Sequence, residues 1–144
     1  MATLAADKPR AYENTGPHPD YNEIPIIASD TIYNGAAVGE SSSTGTARPL
    51  VAGDVFYGFC VEQCANEGGA AAAKLIKVLS SGVVWLSVTG ATGIADLEDT
   101  VYASDDDTFT KSSTSNTAIG KIKRYDSASG KFLVDFESLI ARSI

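Results

Sequence analysis

Three consecutive acids, Asp105, Asp106 and Asp107, are the residues of this sequence that most resemble a site for chemistry. Carboxylate oxygens are the ligands that Ca²⁺ prefers, but a calcium-binding EF-hand loop needs spaced acids, a central glycine and a terminal glutamate. Here the acids are adjacent, and Lys111 follows them. The sequence therefore predicts a solvated acidic turn and no metal site.

Two cysteines, Cys60 and Cys64, are the next candidates. Four residues apart in one strand, they lie on the same face roughly 13 Å apart, which is too far for a disulfide. If the strand ends near Glu62, the two sulfurs can approach each other. A zinc site needs about four ligands, and His18 is the only histidine. We expect two free thiols, and we expect His18, between two prolines, to be an exposed loop residue.

Motifs for catalysis are absent from the sequence. It contains neither the glycine-rich phosphate loop with its lysine nor the G-x-S-x-G turn of serine hydrolases. A single histidine excludes most catalytic triads and most histidine-ligated metals. We therefore name no catalytic residue and no cofactor, and we predict that the protein is not an enzyme.

The charge of the chain is acidic and unevenly distributed. The net charge is −7, and the isoelectric point is near 4.5. Phosphate backbones repel an acidic surface, so nucleic acid is not an expected partner.

No segment approaches the roughly 18 apolar residues that span a bilayer. The N-terminus lacks the basic and apolar regions of a secretory signal, so we expect synthesis in a cytoplasm and no membrane partner.

Prolines divide the chain into two parts. Four of the five lie within the first 25 residues, and none follows Pro49. Proline removes a backbone donor and fixes φ, so it interrupts strand pairing. Residues 1–22 also lack any apolar period. We therefore predict an extended arm over residues 1–22, disordered in the free protein, and a compact body over residues 23–144.

The body has the pattern of an all-β fold. Short apolar runs alternate with glycine-rich and polar turns, which predicts a small β-barrel or β-sandwich of about eight short strands. In residues 55–62, one face is predicted to hold Val55, Tyr57, Phe59 and Val61. Ser80, Ser81 and Gly82 predict a turn. The closing strand, residues 131–137, is predicted to point Phe132, Val134 and Phe136 inward.

The clearest strand, residues 83–89, is apolar on both faces. Val84, Leu86 and Val88 share one face, whereas Val83 and Trp85 lie on the other. Neither face can meet water entirely, so we expect the Trp85 face to be covered by a second subunit or by the chain's own loops. Aromatic residues are enriched at the centres of protein interfaces.

Five segments, in this order, resemble the small cement or decoration proteins of tailed-phage heads. They span about residues 31–137 and are residues 32–39 (IYNGAAVG), 47–59 (ARPLVAGDVFYGF), 81–88 (SGVVWLSV), 99–106 (DTVYASDD) and 118–122 (AIGKI). The resemblance implies a β-barrel-like body that assembles as a homotrimer, with a dimer left possible. The long proline-rich arm and the cysteine pair depart from the family pattern.

The resemblance also implies a function. Such proteins bind the outer surface of the expanded virion capsid, bridge subunits of the major capsid protein and brace the shell against DNA pressure. The interface between subunits would include Trp85 and Val83. The capsid-binding arm would include Leu4, Pro9, Arg10, Tyr12, Pro17, Pro19 and Tyr21.

Two other classes of protein remain open at this point. A tail-tube or baseplate protein shares the β-rich, glycine-rich composition, and its place on the particle would distinguish it. A small ligand-binding barrel or an enzyme would need convergent polar groups in a pocket, for which the sequence offers no candidates.

Overall fold

A computed structural model describes residues 4–14, 21–41 and 45–138. The protein is all-β, as predicted, with one short 3₁₀ turn at Ile94–Asp96. The strands outnumber the eight expected because several contain only two or three residues. They are β1 (Tyr12–Asn14), β2 (Tyr21–Pro25), β3 (Thr31–Ile32), β4 (Ala37–Glu40), β5 (Ala47–Pro49), β6 (Phe56–Cys60), β7 (Cys64–Ala65), β8 (Leu75–Leu79), β9 (Ser81–Leu86), β10 (Val88–Thr89), β11 (Thr100–Ala103), β12 (Phe109–Thr110), β13 (Thr117–Asp126) and β14 (Lys131–Glu137).

The strands form two large sheets and one small one. The seven-stranded sheet has the order β1-β9-β14-β13-β11-β12-β10, and the five-stranded sheet has the order β2-β8-β6-β4-β5. Strands β3 and β7 pair separately. All of these pairs are antiparallel except β10 with β12. Over the described residues the two large sheets pack as a sandwich, and of the two predicted architectures this one is supported.

Two apolar clusters stabilise the sandwich, one on each face of the five-stranded sheet. The first lies between the two large sheets and is rich in phenylalanine, with Phe56, Phe59, Phe132 and Phe136 all at most 2% exposed. The second contains Tyr57, Cys60 and Val78. Because successive residues of a strand point to opposite faces, β6 contributes to both clusters and is buried along its whole length.

The prediction that Tyr57 and Phe59 share one face of the strand in residues 55–62 is wrong. Tyr57 belongs to the second cluster and Phe59 to the first. The pairing of β6 with β4 shifts register, because Gly39 pairs with Phe56 while Val38 pairs with Gly58. One extra residue in β6 is a bulge, and it inverts the alternation. Gly58 permits this, since its φ is +135° and a Cβ there would lie 2.3 Å from the Leu79 carbonyl oxygen.

The predicted turn at residues 80–82 is a corner between sheets. Strand β8 belongs to the five-stranded sheet and β9 to the seven-stranded sheet, with Ser80 alone between them. The two strands do not pair with each other, as a hairpin would require. Strands of a sandwich can pass from one sheet to the other at such bends. The closing strand β14 matches its prediction, because Phe132, Val134 and Phe136 are all buried.

Candidate docking site of the N-terminal segment

Residues 4–14, called the N-terminal segment below, lie against the body. The prediction of a disordered arm is therefore wrong for these residues. β1 pairs antiparallel with β9, with Tyr12 opposite Val84. The Trp85 N–H donates to the Ala11 carbonyl oxygen at 3.0 Å. The segment thus forms the edge strand of the seven-stranded sheet and covers the backbone groups of β9.

The Asn34-Gly35 turn contacts the segment through its backbone. The Lys8 N–H donates to the Asn34 carbonyl oxygen at 2.8 Å. The Arg10 Nε donates to the Gly35 carbonyl oxygen at 2.7 Å. Gly35 has a φ of +93°, and a Cβ at this position would lie 1.8 Å from the Lys8 carbonyl oxygen. Glycine is therefore required here, both for the backbone conformation and for the close approach of the segment.

Opposite charges join the segment to residues 105–107, called the acid turn below. Lys8 Nζ and Arg10 Nη2 lie 3.1 and 2.7 Å from Asp107 Oδ1. Burial raises the pKa of Asp107, but hydrogen bonds from Arg10 and Lys8 outweigh it and hold that pKa below its usual value. Lys8 is exposed, so its ion pair contributes little.

Arg10 makes the more consequential contact of the two basic residues. Its side chain is only 7% exposed. The guanidinium lies 5.9 Å from the ring centre of Phe59 and 5.5 Å from that of Phe109. Such distances allow a cation–π interaction with both rings. Arg10 therefore connects the segment to the main core as well as to the acid turn.

Two of the three acids of the acid turn are buried, so the prediction of a solvated turn is wrong for them. Asp105 and Asp106 are each 1% exposed. Their backbone pairs with two other parts of the body, because Asp105 bridges Val51 and the Ala37 N–H donates to the Asp106 carbonyl oxygen. The Leu4 N–H donates to both carboxylate oxygens of Asp106, each at 3.2 Å. The turn is thus a junction between the body and the segment.

The buried carboxylates of the acid turn have too few hydrogen-bond partners to offset the loss of water. Asp105 Oδ1 accepts from the Asp107 N–H at 2.9 Å, whereas Asp105 Oδ2 is buried without a hydrogen-bond partner. Burial is the largest influence on Asp106, and with the charges of Asp105 and Asp107 it raises the pKa of Asp106 to about 6. The hydrogen bond from Leu4 acts in the opposite direction. At neutral pH the fold therefore holds an unfavourable buried charge.

Asp106→Asn is expected to stabilise the protein at pH 8. Because the pKa of Asp106 is raised from 3.8 to about 6, folding takes up a proton between these values. The stabilisation from protonation is complete below the unfolded pKa and is lost as the pH rises through 6. One pKa unit corresponds to about 1.4 kcal/mol, so we expect a gain of about 1–3 kcal/mol at pH 8. Urea unfolding at pH 4 and pH 8 measures it.

The matched control for this prediction is Asp135→Asn. Asp135 is exposed on β14, and its replacement removes the same charge without changing a buried group. It should change the free energy of unfolding by less than about 0.5 kcal/mol. The gain from Asp106→Asn should also disappear near pH 4, where wild-type Asp106 is itself largely protonated. A variant less stable than wild type at pH 8 would contradict the assignment.

The end of the segment reaches the predicted subunit interface. Tyr12 packs with its ring centre 6.3 Å from that of Phe136, and its hydroxyl is buried without a partner. Burial raises the pKa of this hydroxyl. Glu13 forms an ion pair with Arg124, whose guanidinium lies 5.9 Å from the Trp85 ring centre. The segment and the Trp85 face are thus in contact.

Trp85 and Val83 lie on the outer face of the seven-stranded sheet. Both are half-buried, whereas Val84 between them is fully buried in the core. Leu133, opposite Trp85 on β14, is 1% exposed. The outer face therefore has an apolar centre, partly covered by Arg124. Its coverage by a second subunit stays a prediction.

The other residues predicted for the arm are not in the segment. Tyr21 begins β2 and is 47% exposed, with Lys77 Nζ 4.6 Å from its ring centre. It belongs to the five-stranded sheet, so the predicted boundary at residue 22 falls inside a strand. Pro17, His18 and Pro19 lie outside the described residues.

Two cysteines and a surface groove are further features of the described residues. Cys60 and Cys64 are free, and burial raises the pKa of Cys60 to about 12, so its thiol stays protonated. Within residues 4–14, 21–41 and 45–138, no three histidine, cysteine or acidic side chains are grouped to hold a metal ion. A groove of about 400 Å³ on the outer face of β13 and β14 is lined by both acids and lysines, among them Glu98, Lys121, Lys123, Asp135 and Glu137.

Comparison with known proteins adds no family. No protein-family model matches the chain, and a search of curated proteins finds no significant match. No helix in the described ranges is long and apolar enough to cross a membrane.

Proposed function

We propose that this protein is a structural component of a tailed-phage virion. It decorates the outer surface of the head, bridges neighbouring major capsid subunits and stabilises the expanded shell. It performs no catalysis. The observation that carries the proposal is an extended segment with two cations, Lys8 and Arg10, bound to the edge of a compact sandwich through an edge strand and a few polar contacts. A terminal segment of this kind can extend to an adjacent protein while the body stays folded.

The positions of the resembling segments support this proposal. They contribute to β4, β5, β6, β9, β11 and β13, which belong to both large sheets. The resemblance thus concerns the framework of one folding unit and not a single local motif. The acid turn, which holds the N-terminal segment, lies partly within the fourth of them, residues 99–106.

Several weak contacts made at once by one oligomer are suited to binding a repeating capsid lattice. A body that self-associates through its Trp85 face would present several N-terminal segments at once. Linked binding sites raise apparent affinity by about 10²–10⁴-fold without any new contact. We propose a homotrimer because the resemblance implies one, and a dimer would also gain affinity from linked sites.

The direct test is addition of the purified protein to expanded heads that lack it. Co-sedimentation should show saturable binding, and cryo-electron microscopy should place the protein on the outer face of the shell. Because a ligand that binds only the assembled shell stabilises it, decorated heads should rupture at a higher temperature than bare heads. Equal rupture temperatures, or density on the tail or baseplate, would overturn the proposal.

Trp85→Ala is expected to weaken self-association more than folding. The ring is half-buried on an outer face, so its removal should reduce the oligomer affinity by about 10–100-fold, as expected for an aromatic at an interface centre. Analytical ultracentrifugation measures the oligomer, and thermal unfolding measures the fold. Ile94→Ala is the control, since Ile94 is 75% exposed and lies in the 3₁₀ turn, outside β9. A wild type that is monomeric at every concentration would refute the prediction.

A further inference from the structure

We propose that the acid turn and the Asn34-Gly35 turn form an intramolecular docking site that holds the N-terminal segment and thereby limits its binding to the capsid. This inference rests on the proposed function, because the segment it restrains is the one proposed to bind the shell. It also makes a claim about the free protein that is tested without any capsid.

The site contacts an extended segment through both its backbone and its charged side chains. Gly35 leaves room for the Lys8 carbonyl oxygen, Asp107 accepts from both Lys8 and Arg10, and the Asp106 carboxylate accepts from the Leu4 N–H. The site therefore contacts the Lys8 carbonyl group, the Lys8 and Arg10 cations and the Leu4 N–H in a single alignment of the segment on the body. The contacts with the acid turn join residues 97 to 102 positions apart, so they do not follow from local chain geometry.

Arg10 and Tyr12 cannot be docked on the body and bound to a capsid subunit at the same time. The Arg10 side chain is 7% exposed, between Asp107 and two phenylalanine rings. Tyr12 packs on Phe136 in the core. Neither side chain can contact a capsid subunit with its charged or aromatic end while it stays in these positions. The segment must leave the docking site before these two residues bind elsewhere.

The docking contacts are also weak enough to be exchanged. Most are single hydrogen bonds or ion pairs. The Lys8 ion pair is exposed, with its side chain 55% exposed, whereas the bonds from Leu4 and Arg10 are partly buried. Net contributions of such bonds are about 0.5–1.5 kcal/mol each, and up to about 3 kcal/mol where a charge is involved. Apparent affinity for the capsid is the intrinsic affinity multiplied by the fraction of molecules with a free segment. Weakening the docking site should therefore strengthen capsid binding.

Asp107→Asn is the test variant, because it alters the docking site and leaves every residue of the segment unchanged. Trypsin reports the free segment by cutting after Arg10, and the Lys8-Pro9 bond resists trypsin because proline follows it. Cleavage of a transiently opened segment tracks its open population. Loss of the charge that accepts from Lys8 and Arg10 should accelerate cleavage at the Arg10–Ala11 bond by about tenfold. Affinity for expanded heads should increase by up to about tenfold.

Two further variants keep the test decisive. Asp135→Asn removes an equal charge from an exposed position on β14 and should change neither rate nor affinity. Lys8→Gln removes only the exposed ion pair, and it should accelerate cleavage by a few-fold if Asp107→Asn proves too unstable to fold. Intrinsic Trp85 fluorescence, recorded before protease is added, verifies that each variant is folded.

The outcomes separate the two proposals. Unchanged cleavage in Asp107→Asn and Lys8→Gln would overturn the docking site. Faster cleavage with unchanged affinity for heads would overturn the limit on capsid binding. If no variant, including wild type, binds heads, the proposed function fails and the limit on capsid binding fails with it. The proteolysis result would still judge the docking site by itself.

Discussion

A protein that lacks residues 1–11 is expected to bind expanded heads about 10–100-fold more weakly while its body stays folded. Such a deletion removes Arg10, the more buried cation of the segment, together with its neighbours. Loss of one or two central contacts at an interface typically lowers affinity by this factor. Co-sedimentation with heads measures affinity, and circular dichroism with thermal unfolding measures the fold.

The deletion ends at residue 11 for a structural reason. Tyr12 covers Phe136, and Tyr21 begins a strand that pairs with β8. Deletion of residues 1–22 would therefore damage the body and confuse loss of binding with loss of structure. Asp107→Asn provides the opposite control, since it frees the segment without removing it. Decoration of heads at unchanged affinity by the truncated protein would exclude a docking role for residues 1–11.

Phe59→Ala is expected to lower the free energy of unfolding by about 3–5 kcal/mol. Phe59 is fully buried, and its ring centre lies 5.7 Å from Phe56, 5.8 Å from Phe109 and 4.9 Å from Phe136. The substitution removes a ring that joins both large sheets and leaves a cavity. Urea unfolding followed by circular dichroism measures the loss.

An exposed aromatic provides the comparison for this prediction. Tyr21→Ala removes a ring that is 47% exposed, so it should lower stability by less than about 1 kcal/mol. A similar small loss from Phe59→Ala would show that the two sheets do not share this core. Because Phe59 also lies under the Arg10 guanidinium, its replacement should accelerate trypsin cleavage after Arg10 as well.

Structural features that depend only on the local sequence pattern were predictable from the sequence. The closing strand alternates Phe132, Val134 and Phe136 with polar positions, and a period of two places them on one face whatever the rest of the chain does. Asn34-Gly35 has the composition of a turn, and a turn is found there. The partner of that turn, the N-terminal segment, was not predictable from either stretch alone.

The sequence by itself determined the all-β class, because short apolar runs between turn residues are a local property of the chain. Only the tertiary structure decided the bulge at Gly58, the corner at Ser80, and the burial of the acid turn under the N-terminal segment. Each of these depends on backbone or charge brought together across many residues. The Arg10 contact with Asp107, for instance, spans 97 positions. Charge content predicted that Asp105–Asp107 would be hydrated, but backbone pairing with Val51 and Ala37 placed Asp105 and Asp106 inside.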